Sequence, residues 1–97
     1  MSTTFIAKLV VKAGQEARFE ALQKELSELT HAQEPDTLVY DVIRHRTAPS
    51  TYVVYARFKD EAAFERHQKM QFHDRLVPPI LECLAADMDL QFFDWKS

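Results

Sequence analysis

The side chains with the widest chemical range in this 97-residue chain are four histidines, three tyrosines and one cysteine. His67 falls on an apolar stripe, three positions after Phe64 and four after Ala63. Burial disfavours an imidazolium, and a neutral imidazole is the form a general base needs at about pH 7. The same placement suits a core histidine bonded to a backbone carbonyl, and periodicity alone favours that plainer use. His31 ends the first helical stretch, where a cation complements the helix dipole. His45 lies between Arg44 and Arg46 near a strand end, a solvated setting. His73 follows His67 by six positions, which on one helix puts the two on different faces and makes them a poor metal pair.

No metal is expected on wider grounds, because there is no His-Glu-x-x-His arrangement, no cysteine pair and no calcium loop. Asp87 and Asp89 near the last strand are too sparse to change that. Cys83 sits among Leu81, Leu84 and Ala85 with no basic neighbour in sequence to lower its pKa, so it reads as packing. A single cysteine also forbids an internal disulfide and fits a reducing cytoplasm. Tyr40, Tyr52 and Tyr55 fall on middle strands, where a phenol is commonly structural, yet one facing a cavity could bond a ligand oxygen. Glu34, just before Pro35, could hold a loop or face a pocket, and the loop is favoured. Gly14 is the only glycine, which excludes phosphate-cradling loops and the dinucleotide fingerprint.

A net charge of −3 and scattered basic residues argue against nucleic acid or an anionic membrane as partner. No apolar run approaches the roughly 20 residues of a membrane span, and lysines interrupt the N-terminus too often for a signal-peptide core. The expectation is a soluble, cytoplasmic protein forming one domain over residues 1–97.

The elements that must position these residues follow from the hydrophobic period. Thr3–Lys12 is β-branched and unbroken, with Phe5, Ala7, Leu9 and Val11 on one face. From Gln15 to about Ala32, Phe19, Leu22, Leu26 and Leu29 recur at helical spacing, and the helix must stop before Pro35. Thr37–Arg46 and Thr51–Lys59 form a second and third strand joined by Thr47-Ala-Pro-Ser50, a short antiparallel connection. Asp60 is a good cap for a helix reaching about Met70, with Ala63, Phe64, His67 and Met70 on its stripe. Phe72–Asp87 continues as helix, with Pro79 expected to begin a new segment rather than sit inside a continuous one. Met88–Trp95 is a fourth strand. The order is β-α-β-β-α-(α)-β, an α+β ferredoxin-like pattern on a four-stranded antiparallel sheet.

Helices in this topology cover one face of the sheet, so the other should be polar. It is not: the third strand has Val53 and Tyr55 opposite Tyr52, Val54 and Phe58, and the fourth has Leu90 and Phe92 against Phe93 and Trp95. A sheet apolar on both faces wants a second cover, and a homodimer pairing open faces is the simplest. An RNA-binding reading of the same order lacks the glycine and basic frame around Tyr52-Val-Val-Tyr55 that it would need.

Two stretches resemble the antibiotic biosynthesis monooxygenase domain family of the dimeric α/β-barrel superfamily. Glu34-Pro35-Asp36-Thr37-Leu38-Val39-Tyr40 is similar to that family's lead into the second strand, with Asp36 where glycine is common. Tyr55-Ala56-Arg57-Phe58-Lys59-Asp60 through His67 is similar to its strand end followed by a helix carrying one histidine, with Ala56 where glutamate is usual. The resemblance implies a homodimer, a cavity between sheet and helices, and, for some members, oxygenation without flavin, haem or metal. In that chemistry a base deprotonates a small aromatic, quinol or anthrone-type substrate, and the anion passes an electron to O₂. Carried over, it makes His67 the catalytic base or orienter, with Tyr40, Tyr55, Phe58 and Phe64 lining the substrate site and no cofactor. The haem-degrading and anthrone-oxidising branches use asparagine with tryptophan; this chain has no asparagine, and its one tryptophan is Trp95. A non-catalytic ligand-binding dimer and an isomerase of a small hydroxycarbonyl compound are the alternatives the same barrel leaves open.

Overall fold

Apolar and β-branched runs along the strands and a three-to-four spacing along the helices place an apolar layer between a sheet and its helices. The computed structural model describes residues 2–97. Its elements run β1 (Thr3–Val10), α1 (Glu16–Gln33), β2 (Thr37–Arg44), β3 (Thr51–Phe58), α2 (Glu61–Gln68), α3 (Gln71–Glu82) and β4 (Asp89–Asp94). The sheet is antiparallel throughout in the order β2-β3-β1-β4, so the expected α+β ferredoxin-like architecture is the observed one. Phe5, Ala7 and Leu9 of β1 pair with Ala56, Val54 and Tyr52 of β3. All six are buried under the helices.

On α1 the buried residues are Phe19, Gln23, Leu26 and Thr30, not the row of Phe19, Leu22, Leu26 and Leu29 that hydrophobicity suggests. Leu22 and Leu29 lie on the flank, half-buried against the core, and Leu29 borders a surface groove with Phe72. The helix packs on α3 as well as on β2, and both leucine and polar rows follow helical spacing, so the docking direction decides between them. Asp60 caps α2 as expected, its carboxylate accepting from the Ala63 N–H at 2.8 Å.

α3 departs from expectation. It runs unbroken from Gln71 to Glu82 with Pro78 and Pro79 inside it, where Pro79 was expected to start a new segment. Phe72, Leu76 and Ile80 recur every fourth residue and are buried, whereas Pro78 is exposed and Pro79 half-buried. The missing N–H groups therefore fall where the helix can bow toward water, and the buried row holds it together. The break comes earlier, at Lys69 and Met70, between α2 and α3.

Candidate active site

Three short elements bring the site together: the end of α1, the start of β2, and the junction of α2 with α3. Glu34 caps α1, its N–H donating to the Thr30 carbonyl at 2.9 Å, and the Thr37 N–H closes the following turn onto the Glu34 carbonyl at 3.1 Å. Pro35 cannot continue the helix, so the chain turns there. The β2–β3 register then slips between Thr37 and Val39, leaving Leu38 as an extra, exposed residue. A bulge of this kind lets two residues three apart face the same way. Thr37 and Tyr40 both point under the helices and are buried.

That bulge serves the carboxylate of Glu34. The Thr37 hydroxyl donates to Glu34 Oε1 at 2.9 Å, and both carboxylate oxygens stand 2.9 Å from His67 Nδ1. Glu34 is 8% and His67 2% exposed, so the pair is shielded from water. With Nδ1–H donating to the carboxylate, the tautomer leaves the Nε2 lone pair as the ring's acceptor. The imidazole is wedged between Tyr40 and Phe58, with ring centroids 5.3 and 5.2 Å away. The arrangement is a carboxylate–imidazole dyad with its ring orientation fixed by packing.

His67 lines a cavity of about 160 Å³ with Phe5, Leu26, Tyr40, Phe64 and His73 among its walls. An apolar cavity of roughly 150 Å³ takes up one benzene ring, so the space suits a single aromatic ring. Met88 and Leu90, both part-exposed, lie at its rim. Burial, reinforced by the negative charge of Glu34, pushes the Tyr40 phenol far above its ordinary value, which keeps it a neutral donor on the cavity wall. A larger groove, about 660 Å³, runs between α1 and β2, but Glu20, Lys24, Glu28 and Arg44 line it with exposed charge. Of its lining only Gln23 and Tyr52 are buried, and Gln23 borders the His67 cavity as well.

The sequence-predicted residues divide cleanly. His67, Tyr40, Phe58 and Phe64 come together. Phe64 contacts Phe58 and Phe5 edge-on, at 5.3 and 6.1 Å between centroids. Tyr55 does not join them: it pairs with Ile6 and Asp41 on the opposite face of the sheet and is half-buried there. Tyr52 is under the helices, but its phenol donates to Glu20 beside the α1–β2 groove. The expectation that His67 and His73 lie apart is corrected, since their rings meet edge to face at 4.8 Å. Six positions separate faces only on a continuous helix, and the break at Lys69–Met70 folds α3 back toward α2. Cys83 does have a basic neighbour, Arg18 Nη1 at 3.9 Å, brought by the α1–α3 packing rather than by sequence. Its thiol is buried and directed to the Pro79 carbonyl at 3.4 Å.

Sequence reasoning missed His73 and Gln23 as cavity residues and ranked Glu34 as a loop residue. The available signal for Gln23 was its position four after Phe19 and three before Leu26, a polar side chain at an apolar-row position. Among the described residues, no group of three or more histidine, cysteine, aspartate or glutamate side chains is arranged to hold a metal ion. Among the described residues, no helix is long and apolar enough to cross a membrane.

Comparison with known proteins adds to this geometry. The family model described as Antibiotic biosynthesis monooxygenase matches residues 3–77. No curated protein gives a significant sequence match. Among solved structures, a putative antibiotic biosynthesis monooxygenase from Caulobacter crescentus superposes with a TM-score of 0.95 at 22% identity, over 99% of this chain and 91% of that one. A second, an antibiotic biosynthesis monooxygenase, gives 0.89 at 28% identity over 98% and 99%. A variant of SnoaB, a cofactor-independent oxygenase from Streptomyces nogalater, gives 0.86 at 20% identity over 99% and 94%.

Proposed function

The chain belongs to the antibiotic biosynthesis monooxygenase family, and on that premise we propose that it is a cofactor-independent monooxygenase of a small, single-ring quinol, working as a homodimer. The observation that carries the reading is the buried Glu34–His67 dyad, whose imidazole lines a cavity sized for one aromatic ring. SnoaB, which shares the fold, is a cofactor-independent oxygenase, and that chemistry needs only what this cavity offers.

Nε2 of His67 takes the hydroxyl proton of the quinol while Glu34 holds the ring in place and stabilises the imidazolium that forms. The resulting anion is electron-rich enough to pass one electron to O₂, giving a semiquinone and superoxide. Recombination at an unsubstituted ring carbon forms a C–O bond, and loss of water leaves a hydroxyquinone. The balance is quinol plus O₂ to hydroxyquinone plus water, with every electron drawn from the substrate. Tyr40, neutral and half a wall away, donates to the developing oxyanion. Phe64 packs on the ring from the cavity wall, and Phe58, buried behind His67, backs the imidazole, so that water is kept out. The small cavity favours one ring over the three of an anthrone.

Oxygen uptake by metal-free protein over substituted hydroquinones, corrected for autoxidation, tests the reading. Saturable uptake that falls by about 10²–10⁴ in His67→Ala is expected, the range of general base catalysis. Glu34→Gln, which keeps an acceptor but loses the charge, should fall at least tenfold in kcat. Uptake no faster than autoxidation would overturn the oxygenase, and uptake indifferent to His67 would remove the dyad from it.

A further inference from the structure

Gln23 is 4% exposed, and its Oε1 has no hydrogen-bond partner among the described residues. Leaving a buried amide oxygen unpaired costs free energy, and an apolar side chain of similar size would avoid that cost. Thr4 Oγ1, Thr30 Oγ1 and Arg57 Nε are also unpaired, but none of those residues lines the His67 cavity, whereas Gln23 does. Gln23 is carried by α1 and His67 by α2, so two different helices bring these side chains to the one cavity. Much of the remaining lining is apolar, Phe5, Ala7, Leu26, Val54 and Ile80 among it.

We propose that Gln23 is the second polar anchor of the cavity, its amide oxygen accepting from a hydroxyl at the far end of the ring from the one presented to His67. The inference rests on the quinol reading for the His67 end and adds the substrate class: a single ring with hydroxyls at both ends, in preference to a monophenol. A cavity that holds one ring leaves little slack, so a ligand with its oxygens opposed meets both polar groups at once, while a methyl group at the far end leaves the Gln23 amide unpaired.

The test compares hydroquinone with 4-methylphenol, of nearly the same shape, binding without O₂ and followed by protein NMR titration. The wild type should prefer hydroquinone by about tenfold, the worth of one good buried hydrogen bond. Gln23→Leu and Gln23→Met should each bring the ratio to about one while 4-methylphenol binds no more weakly, and both should raise the ligand-free Tm. A preference unchanged in both variants overturns the proposal. So does equal weakening of both ligands, which would make Gln23 a wall, and so does no saturable binding of either ligand by the wild type. The oxygenase reading fails separately: a Gln23-dependent preference with no oxygen consumption keeps this inference and sinks that one, and oxygen uptake with no such preference does the reverse.

Discussion

At the residue scale the site is set by which histidine nitrogen is tied and which is free. His67 was legible from its stripe position, but its partner was not, because Glu34 reaches it through a turn and a bulge rather than along a helix. His73 was hidden for a related reason: the break before α3 cancels the phase that places it away from His67. Its surroundings carry a testable consequence. Burial, then the neighbouring His67, holds the His73 pKa below the ordinary 6.5, against opposing pulls from Asp74 and Glu34. As pH falls through 6.5, the unfolded chain takes up a proton at this position that the folded chain resists. The unfolded state binds more protons in that window, so stability falls with falling pH. Glu16, held below 4.5 by its Ser50 hydrogen bond, adds its own loss only at lower pH. The drop in Tm between about pH 7 and about pH 5.5 should shrink in His73→Gln, as thermal melts across that range would record. An unchanged slope would mean that His73 is solvated in the fold.

At the element scale most of the fold was readable. β-Branched and apolar runs marked four strands, Asp60 marked a helix start, and Pro35 marked a helix end, each through local chemistry that tertiary packing did not override. Two features were not readable. The α3 prolines are tolerated because Phe72, Leu76 and Ile80 anchor the other side, a compensation local propensity does not see. The Leu38 bulge leaves no trace in a run of apolar and β-branched residues, since Thr37-Leu-Val-Tyr40 alternates equally well in either register. Yet the bulge is what turns Thr37 and Tyr40 to the same side. Deleting Leu38 should restore a regular ladder and force either Thr37 or Tyr40 to the open face, because one residue of slip inverts a strand. The expected outcome is a folded protein, by circular dichroism, that has lost at least tenfold in oxygen uptake through a detached Glu34. Full activity in the deletion would show that Thr37 does not orient the dyad.

At the scale of the whole molecule the decisive feature is the sheet face that no helix covers. The accessible surface of the whole chain is 6124 Å², where a monomer of 11.3 kDa should expose about 5700 Å². Ile6, Ile43, Phe93 and Trp95 are 36, 56, 44 and 48% exposed, and all lie on that face or at its edge by register with Tyr55, Val53 and Thr4. Trp95 is held flat there by the Arg57 guanidinium, 4.1 Å from its ring. A two-fold axis through the open face would stack the two sheets and bury these side chains against their copies, as an isologous interface does. Such an interface needs about 800 Å² from each partner, a large share of one four-stranded sheet. It would also place Tyr55 at the subunit boundary, away from the His67 cavity, so its substitution should alter association before it alters turnover. Ile43→Asp puts an unpaired carboxylate within that contact, where desolvation makes it costly. Sedimentation at micromolar concentration should find the wild type at twice the chain mass and Ile43→Asp at the chain mass, with Tyr55→Ala weakened between them. A wild type that sediments as a single chain would overturn the dimer, leaving the apolar face to a different partner.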